Sequence, residues 1–132
     1  MVYLRYRAPD GAEFADDAAL IEVTDRLGHA GADYWSIGAG DAALWAGSRF
    51  NPTQLQFYFD GADRFQLRFV APGAMPLVSQ AAVGEARGSA RILVGGDPML
   101  LASGTLVSRS AACGAARYFV AHVGPDPAVA WE

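Results

Sequence analysis

The chain alternates from its first residues: Val2, Leu4 and Tyr6 fall on one side of an extended segment and Tyr3, Arg5 and Arg7 on the other. That is the period of a half-buried strand, and Pro9-Asp10-Gly11 supplies the turn that ends it. Leu20, Val23 and Leu27 then recur at helical spacing behind Asp16 and Asp17, either of which can cap the helix. Glu22 and Arg26 form an i,i+4 pair expected on the outside of that helix, and Gly28 and Gly31 mark its end. Residues 33–37 and 42–45 predict a hairpin of two short strands around Gly38-Ala39-Gly40-Asp41, closed by Asn51-Pro52. Leu55 to Phe59 and Phe65 to Phe69 alternate around Asp60-Gly61-Ala62-Asp63-Arg64, the clearest hairpin in the chain and one expected at the centre of a sheet.

Residues 72–88 are weakly patterned and read as an irregular crossing or a strand without a definite place, whereas Ala90 to Val94 and the stretch from Met99 flank Gly95-Gly96-Asp97-Pro98 as a further hairpin. Ser108 is placed to cap a second helix with Ala112, Ala115, Ala116, Phe119 and Val120 toward the sheet, and Gly124-Pro125 stops it. Val129 to Trp131 reads as a last short strand. Tight hairpins clustered between two principal helices predict an α+β fold with a mainly antiparallel sheet, spanning residues 1–132 as one domain.

Composition narrows the chemistry. At 132 residues and 52% apolar content the chain can build a core without a disulfide or metal. The longest uncharged stretches are broken by Gly, Pro and Ser well short of the roughly 20 apolar residues of a membrane span, and the alternating N-terminus is unlike a signal peptide. One Cys and two His do not make up a four-ligand structural metal site. These features predict a cytoplasmic protein with no membrane, metal or cofactor. Fourteen acidic residues against ten Arg give a net charge of −4, which argues against nucleic acid and favours a basic partner.

Catalytic candidates are sparse. His29 and His122 sit at helix ends, Cys113 lies among Ala and Gly as a packing residue, and Ser108 and Ser110 lack a Gly-x-Ser-x-Gly elbow. No acid, base and nucleophile stand at motif spacing, so a non-enzymatic protein is expected. Residues 37–43 match Gly-x-Gly-x-x-Ala, with Asp60 about twenty residues on. In that alternative, a small-molecule or nucleotide-binding domain, Gly38 and Gly40 admit a pyrophosphate and Asp60 holds a ribose hydroxyl. Gly47 and Asn51-Pro52 leave scant room for the helix such a site needs, and a turn is the simpler reading. A second constellation combines carboxylates with anchor-type aromatics in turns: Asp33, Trp35, Asp41, Trp45, Asp60 and Asp63 form the candidate surface for gripping a basic protein.

The final third carries Gly95-Gly96-Asp97, Leu106-Val107-Ser108, Ala115-Ala116-Arg117-Tyr118-Phe119, Gly124-Pro125-Asp126-Pro127 and Val129-Ala130-Trp131-Glu132 in that order. This series resembles bacterial immunity protein family 1, whose members accompany polymorphic toxins. The resemblance covers about forty residues and implies a scaffold in which Phe119 and Trp131 are core anchors. It also implies a role: a non-enzymatic protein that binds a cognate toxin domain and blocks its active site or substrate groove. It supplies no contact residues.

Overall fold

The computed structural model of the protein describes residues 3–27, 34, 35, 40–61, 63–81, 89–94 and 97–132. β1 (Tyr3–Arg7), β3 (Asp41–Gly47), β4 (Thr53–Phe59) and β5 (Arg64–Val70) make the middle of an antiparallel sheet. β2 (Glu13–Ala15) is added at one edge, and β6 (Leu77–Gln80) and β10 (Ala130–Trp131) at the other. The order is β10-β6-β5-β4-β3-β1-β2, and β9 (Leu106–Ser108) completes eight strands by sharing the outer edge of β5 with β6. β7 (Ser89–Val94) and β8 (Asp97–Ala102) form a separate hairpin. The two principal helices among the described residues are α1 (Asp16–Ile21), which continues as a π turn over Glu22–Arg26, and α2 (Arg109–His122). The expected α+β architecture with an antiparallel sheet and two principal helices is the one observed.

Alternation decides which side of the sheet meets the helices. Leu4, Tyr6, Leu44, Leu55, Phe57, Phe59, Phe65, Leu67 and Phe69 all point to one face, where Val23, Leu27, Ala112, Ala115, Ala116 and Phe119 cover them. The small side chains of α2 let that helix approach the aromatics closely. Ser108 caps it as its position predicts, its Oγ accepting from Ala111 N at 3.1 Å. At the other end the left-handed residue is Val123 (φ 52°), one before the expected Gly124.

The second face is half covered. Cross-strand register places Asp41, Tyr58, Gln66 and Leu106 in one row on it, and Arg7, Ala43, Gln56 and Arg68 in the next. Asp41, Ala43 and Leu106 are buried there, as is Ile92 of β7, and none of them belongs to the helix-covered core. β7 packs against β4, so the β7–β8 hairpin is the cover. The following row, Arg5, Trp45, Gln54 and Val70, lies beyond it with Arg5 exposed and Trp45 partly so.

Three expectations are corrected. Tyr34 and Trp35 have helical backbone, and Asp41–Gly47 pairs with β1 and β4, so the hairpin expected over 33–45 does not form. Leu20 is 42% exposed rather than core. The π turn widens the winding to i→i+5 bonding, and Ala19, Val23 and Leu27, four residues apart, line the buried stripe instead. The same stripe takes in Glu22, expected outside, which is only 7% exposed. Trp131 is partly buried, held by its ring contact with Phe69 and by an indole N–H that donates to Asp126 O at 2.9 Å.

Candidate functional site

Asp10, Glu13, Asp16, Asp17, Glu22 and Asp25 are six of the fourteen acidic residues, and they fall in one short stretch in which Arg26 is the next charge. The fold puts five of the six on the outside and turns Glu22 inward. The β1–β2 turn carries Asp10, the edge strand β2 carries Glu13, and the chain passes directly into α1 at Asp16. Asp10 Oδ1 accepts from Ala12 N at 2.9 Å, which tightens the turn. Asp16 takes a positive φ of 54°, a conformation that Asp tolerates better than most side chains. The expected cap by Asp16 or Asp17 is not made: Ala15 is the N-cap and no side chain accepts there. Both carboxylates still lie where the helix dipole favours negative charge.

Apolar groups interleave with the acids. Ile21 is 58% exposed beside the partly exposed Leu20. Leu20, Asp16 and Asp17 border a cavity of about 170 Å3 whose other walls are Tyr3, Leu4, Ala46, Val120 and Val123. A second cleft of about 250 Å3 opens on the other side of the same segment, between Ala8, Pro9, Asp10, Phe14, Glu22, Arg26 and Tyr34.

At the base of that cleft is a chain of hydroxyls ending on a carboxylate. The Tyr6 and Tyr34 hydroxyl oxygens are 2.7 Å apart, and Tyr34 O–H points at Glu22 Oε1 across 3.5 Å. With Tyr34 donating to Glu22, Tyr6 donates to Tyr34. Arg26 Nη1 lies 3.3 Å from the same Oε1, and its guanidinium carbon stands 5.6 Å from the centroid of the Tyr34 ring. Burial, followed by the charge of Glu22, holds the Tyr34 hydroxyl up at about 12 even though the Tyr6 hydroxyl and the Arg26 charge pull it down. Burial, then the neighbouring Tyr34, pushes the Tyr6 hydroxyl far above the usual phenol range. Phe14 stacks on Tyr6 with centroids 6.1 Å apart and closes the outer wall.

The structure divides the six carboxylate and aromatic residues singled out by sequence. Trp35, expected on the candidate surface, is 1% exposed and packs against Phe57, Phe59 and Phe65 with centroids 4.7 to 6.3 Å away. Asp41, expected in an exposed turn, is buried on the second face, where Arg7 Nη2 donates to its Oδ2 at 3.2 Å. Trp45 lies on that face opposite Arg5 and Gln54, about 13 Å along the strands from the Asp41 row. Asp60 Oδ1 accepts from Arg64 N at 3.0 Å and braces the β4–β5 turn, and the exposed Asp63 pairs with Arg109 at 3.3 Å. Asp33 lies outside the described residues, as do Gly38 and His29. Asp41, Asp60 and Asp63 therefore share one end of the sheet with Asp10, while Trp35 is buried in the helix-covered core and Trp45 lies toward the other end of the strands.

The other chemical candidates resolve simply. Gly40 leads into strand β3, so the helix that the Gly-x-Gly-x-x-Ala reading requires is replaced by a strand. Cys113 is buried, its thiol donating to Leu27 O at 3.3 Å. Among the described residues no three His, Cys, Asp or Glu side chains are grouped to hold a metal, and no helix is long and apolar enough to cross a membrane. Sequence reasoning missed Tyr6, Phe14, Glu22 and Tyr34 as a group. The available signals were the density of acids over 10–25 and a Glu set between Ile21 and Val23 in an otherwise apolar run. No family model matches the chain, and no curated protein matches it.

Proposed function

We propose that this chain is an immunity protein: a non-enzymatic, cytoplasmic binder that neutralises a cognate bacterial toxin domain by covering its active site or substrate groove. One observation carries the reading, the outward edge formed by the β1–β2 turn, β2 and α1. There exposed Asp16 and Asp17 stand with exposed Leu20 and Ile21 on α1, and Asp10, Glu13 and Asp25 are exposed on the adjoining turn, edge strand and π turn. Carboxylates near exposed apolar side chains suit a basic protein surface, because they steer encounter and penalise wrong partners while the apolar groups are desolvated on contact. Toxins that act on nucleic acids, such as nucleases and deaminases, present basic grooves of that kind. The role itself is drawn from the resemblance of the last third of the chain to the immunity family.

Co-expression with toxin domains from the same operon tests this reading, scored by survival and by co-purification of a complex. Rescue with a stable complex supports it, and rescue without a complex, or no rescue, refutes it. Within a complex, Glu13→Lys with Asp17→Lys should weaken binding at least tenfold, mostly through the association rate, with an unchanged circular dichroism spectrum. Asp60→Lys with Asp63→Lys reports in the same way on the adjoining end of the sheet. Unchanged affinity in both double variants would remove the acidic surface as the contact.

A further inference from the structure

We infer that the cleft between the β1–β2 turn and the π turn is a receptor for a guanidinium group, the end of an arginine side chain presented by a basic protein partner. This deepens the function proposed above by naming the group that the partner contributes. The chain already displays the chemistry in cis. Arg26 places Nη1 3.3 Å from Glu22 Oε1 and stands over the Tyr34 ring at 5.6 Å, so one guanidinium meets a carboxylate and an aromatic face together. Planar, weakly hydrated guanidinium uses both contacts well, and ammonium does so less.

The occupant is loosely held and the space is not filled. The Arg26 side chain is 65% exposed, and an i,i+4 pair at such a surface opens at little cost. Glu22, by contrast, is buried, so its charge is not dispersed into solvent. Beyond Arg26 the cleft of about 250 Å3 continues between Phe14, Pro9 and Asp10. It offers a second aromatic wall for the methylene stem and a second carboxylate at the rim. Arg26 is thus a placeholder: a partner arginine entering from the β1–β2 side takes over Glu22 and Tyr34 while Arg26 swings into solvent.

Free L-argininamide tests this on the isolated protein, followed through backbone amide NMR signals of residues 10–26. Failure here leaves toxin neutralisation standing, and failure of neutralisation leaves this result standing. The expected Kd is on the order of 1 mM, from one charge-assisted contact and one cation–π contact. Arg26→Ala should bind about threefold tighter because the internal competitor is gone. Glu22→Gln should bind at least tenfold more weakly, and Phe14→Ala, on the edge strand, severalfold more weakly should Glu22→Gln not fold. Citrullinamide, which keeps the α-amine but has an uncharged side chain, should leave the signals in place. No response in either wild type or Arg26→Ala, equal binding of citrullinamide or lysinamide, or undiminished binding by a folded Glu22→Gln protein would each overturn the proposal.

Discussion

The hydroxyl pair beneath the cleft makes a sharp test of the polar chemistry inside this fold. Tyr6 is 1% exposed and has Tyr34 as its hydroxyl partner at 2.7 Å, whereas Tyr34 is half-buried and also reaches Glu22 and the cleft. Tyr6→Phe removes one hydrogen bond and leaves a Tyr34 oxygen that still has water at hand, a cost of about 1 kcal/mol. Tyr34→Phe leaves the Tyr6 O–H buried with nothing to accept it, a cost of about 2 kcal/mol within the range for an orphaned buried donor. With both hydroxyls gone no orphan remains, and the double variant should lose only about 1 kcal/mol. The coupling is therefore about 2 kcal/mol, well above the few tenths expected of independent sites. Urea denaturation followed by circular dichroism, with constant slope across the four proteins, reads it directly. Additivity within about 0.5 kcal/mol, or a Tyr34→Phe variant no worse than Tyr6→Phe, would refute the buried pair.

The same tyrosines set an alkaline limit. Their folded hydroxyls ionise above the ordinary value of 10, Tyr34 at about 12 and Tyr6 higher, so above pH 10 the unfolded chain binds fewer protons than the folded one and stability falls with rising pH. Denaturation midpoints that stay level from pH 9 to 12 would contradict this. Trp35 is nearly fully buried and its indole Nε1 has no hydrogen-bond partner among the described residues. Trp35→Phe leaves a void of about 40 Å3 worth about 1 kcal/mol but removes an orphan donor of similar cost, so it should be near neutral, while Trp35→Ala loses about 3 to 5 kcal/mol. Comparable losses in both variants would show that the indole N–H is satisfied.

What the chain discloses locally it discloses well. The β4–β5 hairpin, β1 and the Ser108 cap each depend on residues within a few positions of one another, and period-two alternation or a single side-chain oxygen is enough to specify them. Trp35 fails for the opposite reason. Residues 33–37 alternate as a strand would, and what draws Trp35 inward is Phe57, Phe59 and Phe65, more than twenty positions away. Leu20 and Glu22 exchange their expected surroundings because a π turn shifts the phase of the helix, and no local pattern distinguishes that winding from α. The Glu22–Arg26 pair itself is present as its spacing predicts. The direction in which Glu22 faces is set by Tyr34 and, behind it, by a hydroxyl from the first strand. A site assembled from β1, β2, the π turn and Tyr34 is legible only once those parts are packed.

Glu22 also separates stability from recognition. Burying a carboxylate is costly, and apolar replacements of buried charges are often neutral or stabilising unless they strand a partner in the interior. Neither partner is stranded here: Arg26 is mostly in solvent and Tyr34 opens on the cleft. Glu22→Met, similar in length and suited to irregular gaps, should therefore leave stability unchanged or raise it by about 1 kcal/mol while abolishing the response to L-argininamide. A loss of 2 kcal/mol or more would make Glu22 a structural residue whose removal collapses the π turn. A neutral or stabilising outcome would mean that the fold tolerates this carboxylate without needing it, and that its place beside two aromatic rings serves what enters the cleft.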